Sequence, residues 1–280
     1  MSNANEANNA EQIEYWNKNA GKTWVESQAR TDAMLAPLSA ILLEKAAASK
    51  GERVIDVGCG CGETSLRMAQ AGAEVWGIDI SAPMLARAKE RAKELGLTNV
   101  AFSETDASTQ ALTPDHDLIF SRFGVMFFSD PTAAFTNLRT GLSRSGRLCF
   151  LCWQPPQKNP WMAVAGAAVQ PFLPPPEVAP DPRAPGPFAF ADAAYLEGIL
   201  STAGFKGIEI EPVEAQVHVG DDLDDAIESQ SRIGPVSRAI KELEGEKREQ
   251  ALVAVREALA PHVTPDGLDL GAACWLVSAR

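Results

Sequence analysis

Three glycines and two acids define the chemistry open to this chain. In Val54-Ile55-Asp56-Val57-Gly58-Cys59-Gly60-Cys61-Gly62 a short apolar run reads as a buried strand and leads straight into a Gly-x-Gly-x-Gly turn. Glycine has no side chain to hold a ligand off the backbone and tolerates positive φ. The helix after the turn is expected to begin near Thr64, with Ser65-Leu66-Arg67-Met68-Ala69 in its body. A strand, glycine loop and helix most often receive a dinucleotide, whose pyrophosphate rests on the helix N-terminus. That use requires a third glycine at Gly-x-Gly-x-x-Gly spacing, and Glu63 stands there instead. A pyrophosphate would face carboxylates at Asp56 and Glu63, a repulsive pairing in a partly dry site. A ligand with a cationic ammonium group suits the same acids.

Glu74-Val75-Trp76-Gly77-Ile78-Asp79-Ile80 reads as a second buried strand ending in an acid. An acid about 20 residues past the glycines suits ribose hydroxyls. Asp79 alone does not separate a nicotinamide dinucleotide from other nucleosides. With Asp56 it favours a nucleoside carrying an amino acid over a diphosphate.

These segments, with Thr105-Asp106-Ala107, Asp117-Leu118-Ile119-Phe120-Ser121-Arg122-Phe123-Gly124 and Gly146-Arg147-Leu148, follow one another in an order and spacing that resembles a known family. The chain is similar to class I S-adenosylmethionine-dependent methyltransferases of the small-molecule type, related to the quinone-biosynthesis enzymes. The resemblance covers roughly residues 10–154, with a weaker echo to the C-terminus. It implies a Rossmann-like α/β fold: a seven-stranded, mostly parallel sheet with helices on both faces and a helical and loop cap. It implies S-adenosyl-L-methionine as cofactor. Asp56 would hold the methionine ammonium, and the backbone at Gly58, Cys59 and Gly60 would line the methionine part. Asp79 would take the ribose hydroxyls, with Ile80 and Met84 against the adenine. Asp106 would accept from the adenine amino group beside Ala107, Ser121 would lie near the sulfonium, and Trp24 near the methionine end. The residues themselves leave plainer roles open: Asp56 as a structural acid, Asp79 at a helix start, Asp106 in a surface turn, Met84 in a helix core with Leu85 and Ala88. The continuation Phe123-Gly124-Val125-Met126 and the longer Pro-rich stretch depart from the quinone enzymes, which puts a quinone-type acceptor in doubt.

No catalytic residue is assigned. His116 lies between two aspartates and reads as a solvated turn residue, and His262 reads similarly. His218, near the end of a strand, is the best of the three as a base and still a weak one. Arg122 suits a substrate carboxylate or phosphate, or a lid acid. Phe123, Met126, Phe127, Phe128 and Trp153 at strand ends suit an apolar pocket wall. Cys59 and Cys61, one residue apart with no matching Cys/His pair nearby, do not make a metal site.

The chain has 280 residues, 45% of them hydrophobic, enough for a sizeable core. A formal charge of −12 disfavours nucleic acid as a partner and leaves a small molecule. Five scattered cysteines fit a reducing cytoplasm better than a disulfide scaffold. The polar N-terminus holds no apolar secretion segment, and no stretch is apolar enough to span a membrane.

The chain reads as a single domain, 1–280. Residues 1–50 form an N-terminal helical lid, with 1–10 unstructured and helices at 11–30 and 35–49. Residues 51–154 form the cofactor-binding core, with strands at 53–57, 74–79, 99–103, 117–121 and 147–153. Residues 155–280 supply a Pro-rich loop, a helical cap and the last strands. Eleven prolines between Pro155 and Pro187 exclude regular structure through most of that stretch. A helix is expected at 192–203, strands at 209–219 and 273–278, and helices through 222–260 as an insertion in a final antiparallel pair. Three functions fit: a methyltransferase on a small aromatic or lipophilic acceptor, an NAD(P)-dependent oxidoreductase, or a cofactor-binding protein that does not methylate. The first agrees best with Asp56 and the missing glycine.

Overall fold

The computed structural model describes residues 2–18, 20–175, 179 and 181–280. Met1, Asn19 and, from the Pro-rich stretch, Pro176 and Pro180 lie outside the described residues. Three helices lead in: α1 (Ser2–Asn17), α2 (Ala20–Glu26) and α3 (Gln28–Ala46). The core follows as β1 (Arg53–Val57), α4 (Glu63–Gln70), β2 (Glu74–Asp79), α5 (Ala82–Glu94), β3 (Val100–Glu104), β4 (His116–Arg122), α6 (Pro131–Thr140) and β5 (Leu142–Trp153). Then come α7 (Pro160–Val169), α8 (Ala193–Thr202), β6 (Glu209–Gly220), α9 (Leu223–Arg232), α10 (Pro235–Glu242), α11 (Gly245–Leu259), β7 (Val263–Thr264) and β8 (Gly267–Ala279).

The strands form one sheet in the order β3-β2-β1-β4-β5-β8-β6, with the two-residue β7 paired to β8. Pairing is parallel from β3 to β5, and β8 runs antiparallel between β5 and β6. The strand order reverses beside β1, so the tips of β1 and β4 bound the crevice where ligands of such sheets bind. Val54, Ile55 and Val57 are buried, as a strand covered on both faces requires. On one face Cys59, Leu66, Leu85, Ala88, Ala92 and Phe102 form a small core under α4 and α5. Leu85, Ala88 and Ala92 recur at helical spacing, and burying Leu85 alone is worth about 2 kcal/mol. Leu35, Leu38 and Leu42 of α3 join the main core, and Asp32 of α3 pairs with Arg91 of α5 at 2.8 Å.

Several expectations change. Residues 2–10 belong to α1 rather than an unstructured tail. Three alanines and Glu6 stand there among the asparagines, and a helix already nucleated at 10–17 extends at little cost. The second lead-in helix begins at Gln28 and stops at Ala47, which takes the left-handed conformation. A helix fits inside the Pro-rich stretch because α7 places Pro160 in its first turn and ends before Pro171. Residues 105–115, between β3 and β4, form no helix.

Candidate active site

The glycine turn is shaped by close approach. Gly58, Gly60 and Gly62 all have positive φ, between 55° and 81°. A Cβ on Gly58 would lie 2.7 Å from Cα of Gly124, and one on Gly60 would lie 2.9 Å from Cε of Met84. The Gly58 and Cys59 amides donate to the Ile78 carbonyl at 2.8 and 3.1 Å, tying the turn to the end of β2. The Gly60 amide donates to Asp79 Oδ2 at 2.8 Å, and Ser81 N donates to Asp79 Oδ1 at 2.9 Å. Burial raises the Asp79 carboxyl above its ordinary value, and these backbone donors oppose the rise. Asp79 therefore holds both the glycine turn and the residue before α5.

Asp56 is fully buried beneath the turn. Its Oδ2 accepts from Thr64 Oγ1 at 2.8 Å and Ser65 Oγ at 2.6 Å, while its Oδ1 has no protein partner. Burial pushes its pKa up to about 6, against the pull of those two hydroxyls. A buried carboxylate oxygen left unpaired is costly and calls for an explanation. Thr64, expected as the helix start, faces inward instead; α4 begins at Glu63, and left-handed Gly62 holds the cap position. The strong acceptor beneath the turn draws the hydroxyl away from capping.

Glu63 accepts from Arg122 Nη1 at 2.8 Å, and the same nitrogen donates to Ser39 Oγ at 2.6 Å. Arg122 thus joins β4 to α4 and α3, with Glu63 as its acid partner rather than an acid of the cap. Ser121 is buried; its hydroxyl donates to the Val57 carbonyl at 2.7 Å and accepts from Gly124 N at 3.2 Å. It holds the tips of β1 and β4 together. Asp106 Oδ1 accepts from Ser108 N and Oγ in the turn after β3, and the buried Ala107 gives its carbonyl to Asn137. Met84 is buried over Gly60.

Trp16 and Asn17 close over this group, and no motif spacing marks them. Asn17 Nδ2 donates to the Ile80 carbonyl at 2.7 Å, and Ala82 N donates to Asn17 Oδ1 at 2.9 Å. Ser81 Oγ donates to the Trp16 carbonyl at 2.9 Å. The Trp16 ring meets Phe127 edge-on at 5.4 Å and Trp24, half-buried, at 6.1 Å. It therefore bridges the loops after β2 and β4. The one available signal is Gly21: a Cβ there would lie 2.6 Å from Ser81 Oγ.

The histidines stand elsewhere. His116 is buried rather than solvated, its Nδ1 3.2 Å from the Thr113 and Gly141 carbonyls and its ring stacked with Trp76. It opens β4 one residue earlier than expected, which carries the ring inward. His218 lies on the edge strand β6, between Asp269 Oδ1 at 2.8 Å and Asp221 Oδ1 at 3.0 Å. Those two hydrogen bonds raise its pKa, and β6 stands three places from β4 across the sheet, away from the glycine turn. His262 is exposed. All five cysteines are free and buried. Burial pushes the Cys61 thiol up to about 12 and raises the Cys59 thiol well above its ordinary value, so neither is a thiolate.

Comparison with known proteins agrees with this geometry. Residues 48–160 match a family described as a methyltransferase domain. The chain is 32% identical over 143 residues to aklanonic acid methyltransferase of Streptomyces sp. (strain C5), covering 50% of this chain and 60% of that one. It is 27% identical over 221 residues to a ubiquinone biosynthesis O-methyltransferase of Methylococcus capsulatus, covering 76% and 90%. The first curated relatives it matches are mycobacterial proteins 33% identical to it, and the chain spans only 45% of their length. Among solved structures, a putative methyltransferase from an antibiotic biosynthesis pathway of Anabaena variabilis superposes with a TM-score of 0.58 at 16% identity, over 88% of this chain and 97% of that one, a likeness of fold. The sheet order and the glycine turn define a class I α/β fold. Residues 48–160 thus match a methyltransferase domain, within a sheet of the class I α/β kind.

Proposed function

We propose that the protein uses S-adenosyl-L-methionine to methylate a small aromatic or lipophilic acceptor. The observation that carries this reading is the unpaired Oδ1 of Asp56, buried beneath a glycine turn whose Gly60 amide is held by Asp79. An acid in each place favours an ammonium and a ribose over a pyrophosphate. Asp56 would receive the methionine ammonium, directly or through water, and Gly58, Cys59 and Gly60 would line the methionine part. Asp79 keeps lone pairs for ribose hydroxyls while holding the Gly60 and Ser81 amides. Ile80, Met84, Asp106 and Ala107 would border the adenine, with Trp24 at the methionine end. Ser121 would act by fixing the β1 and β4 tips.

When bound, the cofactor supplies a methyl group on a sulfonium, open to in-line displacement by an acceptor nucleophile. This chain's part is alignment and exclusion of water, and alignment alone is worth about 7–11 kcal/mol. No base is required unless the acceptor must lose a proton, and His218 is not placed to serve as one.

Residues 1–50, the 155–187 stretch and the 220–260 helices would act as a lid over the 51–154 core. Three contacts support this reading. Arg30 of α3 pairs with Asp225 of α9, Arg238 of α10 lies over the Tyr15 ring of α1, and Trp16 meets Phe127. Among the described residues no helix is long and apolar enough to cross a membrane. Five free thiols and a charge of −12 support a reducing cytoplasm and a small-molecule partner over nucleic acid. Calorimetric titration tests the reading: micromolar binding of S-adenosylmethionine and S-adenosylhomocysteine with none of NADH is expected, and binding of NADH alone would overturn it.

A further inference from the structure

His218 of β6 and Asp269 of β8 stand directly opposite each other in the antiparallel pair. Opposed side chains share one face of a sheet, and His218 Nδ1 lies 2.8 Å from Asp269 Oδ1. The pairing slips between His218 and Gly220, and such a bulge bends the strand end. Past it Asp221 comes back to the ring, with Oδ1 3.0 Å from His218 Nε2. The imidazole thus bridges two acids where the chain leaves the sheet for α9–α11 and returns from them. Gly267 leaves room for it, since a Cβ there would lie 2.7 Å from His218 Cε1.

An ionised carboxylate only accepts, so each of these contacts needs a hydrogen on the ring nitrogen. A neutral imidazole carries one N–H and an imidazolium carries two. Once the proton is lost, one nitrogen turns a lone pair toward a carboxylate oxygen, and that contact must open. The surroundings favour the proton. Asp222, Asp224 and Asp225 stand at the start of α9. The neighbouring cations are already matched, Arg30 of α3 with Asp225 and Arg256 of α11 with Asp224. Hydrogen bonds to Asp269 and Asp221 raise the His218 pKa, against partial burial. A raised histidine stabilises fully below its unfolded pKa and ceases to as pH rises through the folded one.

The bridge reaches further into the cap. Asp221 N donates to Asp225 Oδ2 at 3.0 Å, and Asp225 holds Arg30 of α3. Helix α9 in turn packs on β6, α10 and α11. We infer that His218 is a proton-operated clasp: protonated, it ties the entry of α9 to both strands; deprotonated, it releases one acid and loosens α9–α11. The inference goes beyond the methyltransferase reading and does not rest on it, since its readout needs no cofactor.

The test is hydrogen exchange of the full chain, read by mass spectrometry from pH 6 to pH 9. Each rate is corrected for intrinsic amide exchange at that pH, and His218 is titrated in the same protein by NMR. Corrected exchange across 222–260 is expected to rise about two- to fivefold as His218 loses its proton, the value of an exposed ion pair. Exchange in β1 and β4 should stay as it was. The His218 side chain is 44% exposed, so substitution there leaves the core intact. His218→Gln keeps one donor and one acceptor at every pH, and its cap should exchange at the faster rate throughout. His218→Lys keeps a cation to pH 9 and should hold the slower rate throughout. No response in the unsubstituted protein, or the same response in His218→Gln, would overturn the inference. So would an imidazole that titrates at or below the ordinary histidine value.

Discussion

Phe123 and Trp153 lie face to face, with ring centroids 4.0 Å apart and planes within 5° of parallel. The stack joins the ends of β4 and β5, and Phe123 reaches it through a left-handed backbone with φ of 64°. That conformation costs a non-glycine residue about 1 kcal/mol or more. The contact must therefore return at least as much.

Substitution at Phe123 should invert the usual ranking of alanine and glycine. Phe123→Ala loses the ring and keeps the strain, and should cost about 3 kcal/mol. Phe123→Gly loses the ring and relieves the strain, and should be the more stable of the two by about 1 kcal/mol. Urea unfolding measures both; an alanine variant more stable than the glycine variant would refute the strain.

Asp56→Asn should stabilise the free protein near pH 7 while weakening cofactor binding. The folded pKa of about 6 stands above the ordinary 3.8. A raised acid contributes stability that is complete below the unfolded pKa and lost as pH rises through the folded one. At pH 7 the buried charge costs up to about 3 kcal/mol, which asparagine avoids. The advantage of the variant should fade as pH falls from 7 toward 4. Thermal unfolding across that range reads it, and a pH-independent difference would contradict the assignment.

Asp79→Ala removes the acceptor for two backbone amides and a proposed ribose contact. Cofactor affinity should fall by about 1–3 kcal/mol. Gly60→Val combines positive φ with a Cβ against Met84, and should block binding while the chain still folds. Unchanged affinity in either variant would place the cofactor elsewhere.

Limited proteolysis should report the lid. Asn17 holds both the Ile80 carbonyl and the Ala82 amide, so Asn17→Ala should expose the 1–50 segment to cleavage. Bound S-adenosylhomocysteine should protect the unsubstituted chain. The same cleavage rate with and without ligand would argue against closure on the cofactor.

His218→Ala should lower stability more at pH 6 than at pH 9, and should leave S-adenosylhomocysteine affinity unchanged. Asp269 and Asp221 raise its pKa, so its stabilising contribution is complete below the unfolded pKa and disappears as pH rises past the folded one. Denaturation midpoints at the two pH values decide this.

The strands, the glycine turn and Asp79 were legible because each is written in a few neighbouring residues: a buried apolar run, three glycines, an acid at a strand end. The core helices were legible from 3.6-residue spacing, as in Leu85, Ala88 and Ala92. What escaped depends on partners far along the chain. Thr64 turns inward because Asp56 lies beneath it, His116 is buried at the start of β4, and Arg122 finds Ser39 and Glu63. Trp16 and Asn17 matter only because the turn after β2, some sixty residues on, folds back against them. Local pattern fixes elements; it does not tell which polar side chains will meet once the elements pack.

Between β6 and β8 the chain leaves the sheet at Gly220 and re-enters at Gly267, where a Cβ on Gly267 would lie 2.8 Å from the Gly220 carbonyl. His218 spans the same point, hydrogen-bonded to Asp221 on one side and Asp269 on the other. Everything from α9 to α11 thus hangs from one narrow neck. Closing such a neck depends only weakly on the length of what it carries. Added length beyond it therefore costs little in chain entropy and leaves the glycine turn and its acids in register.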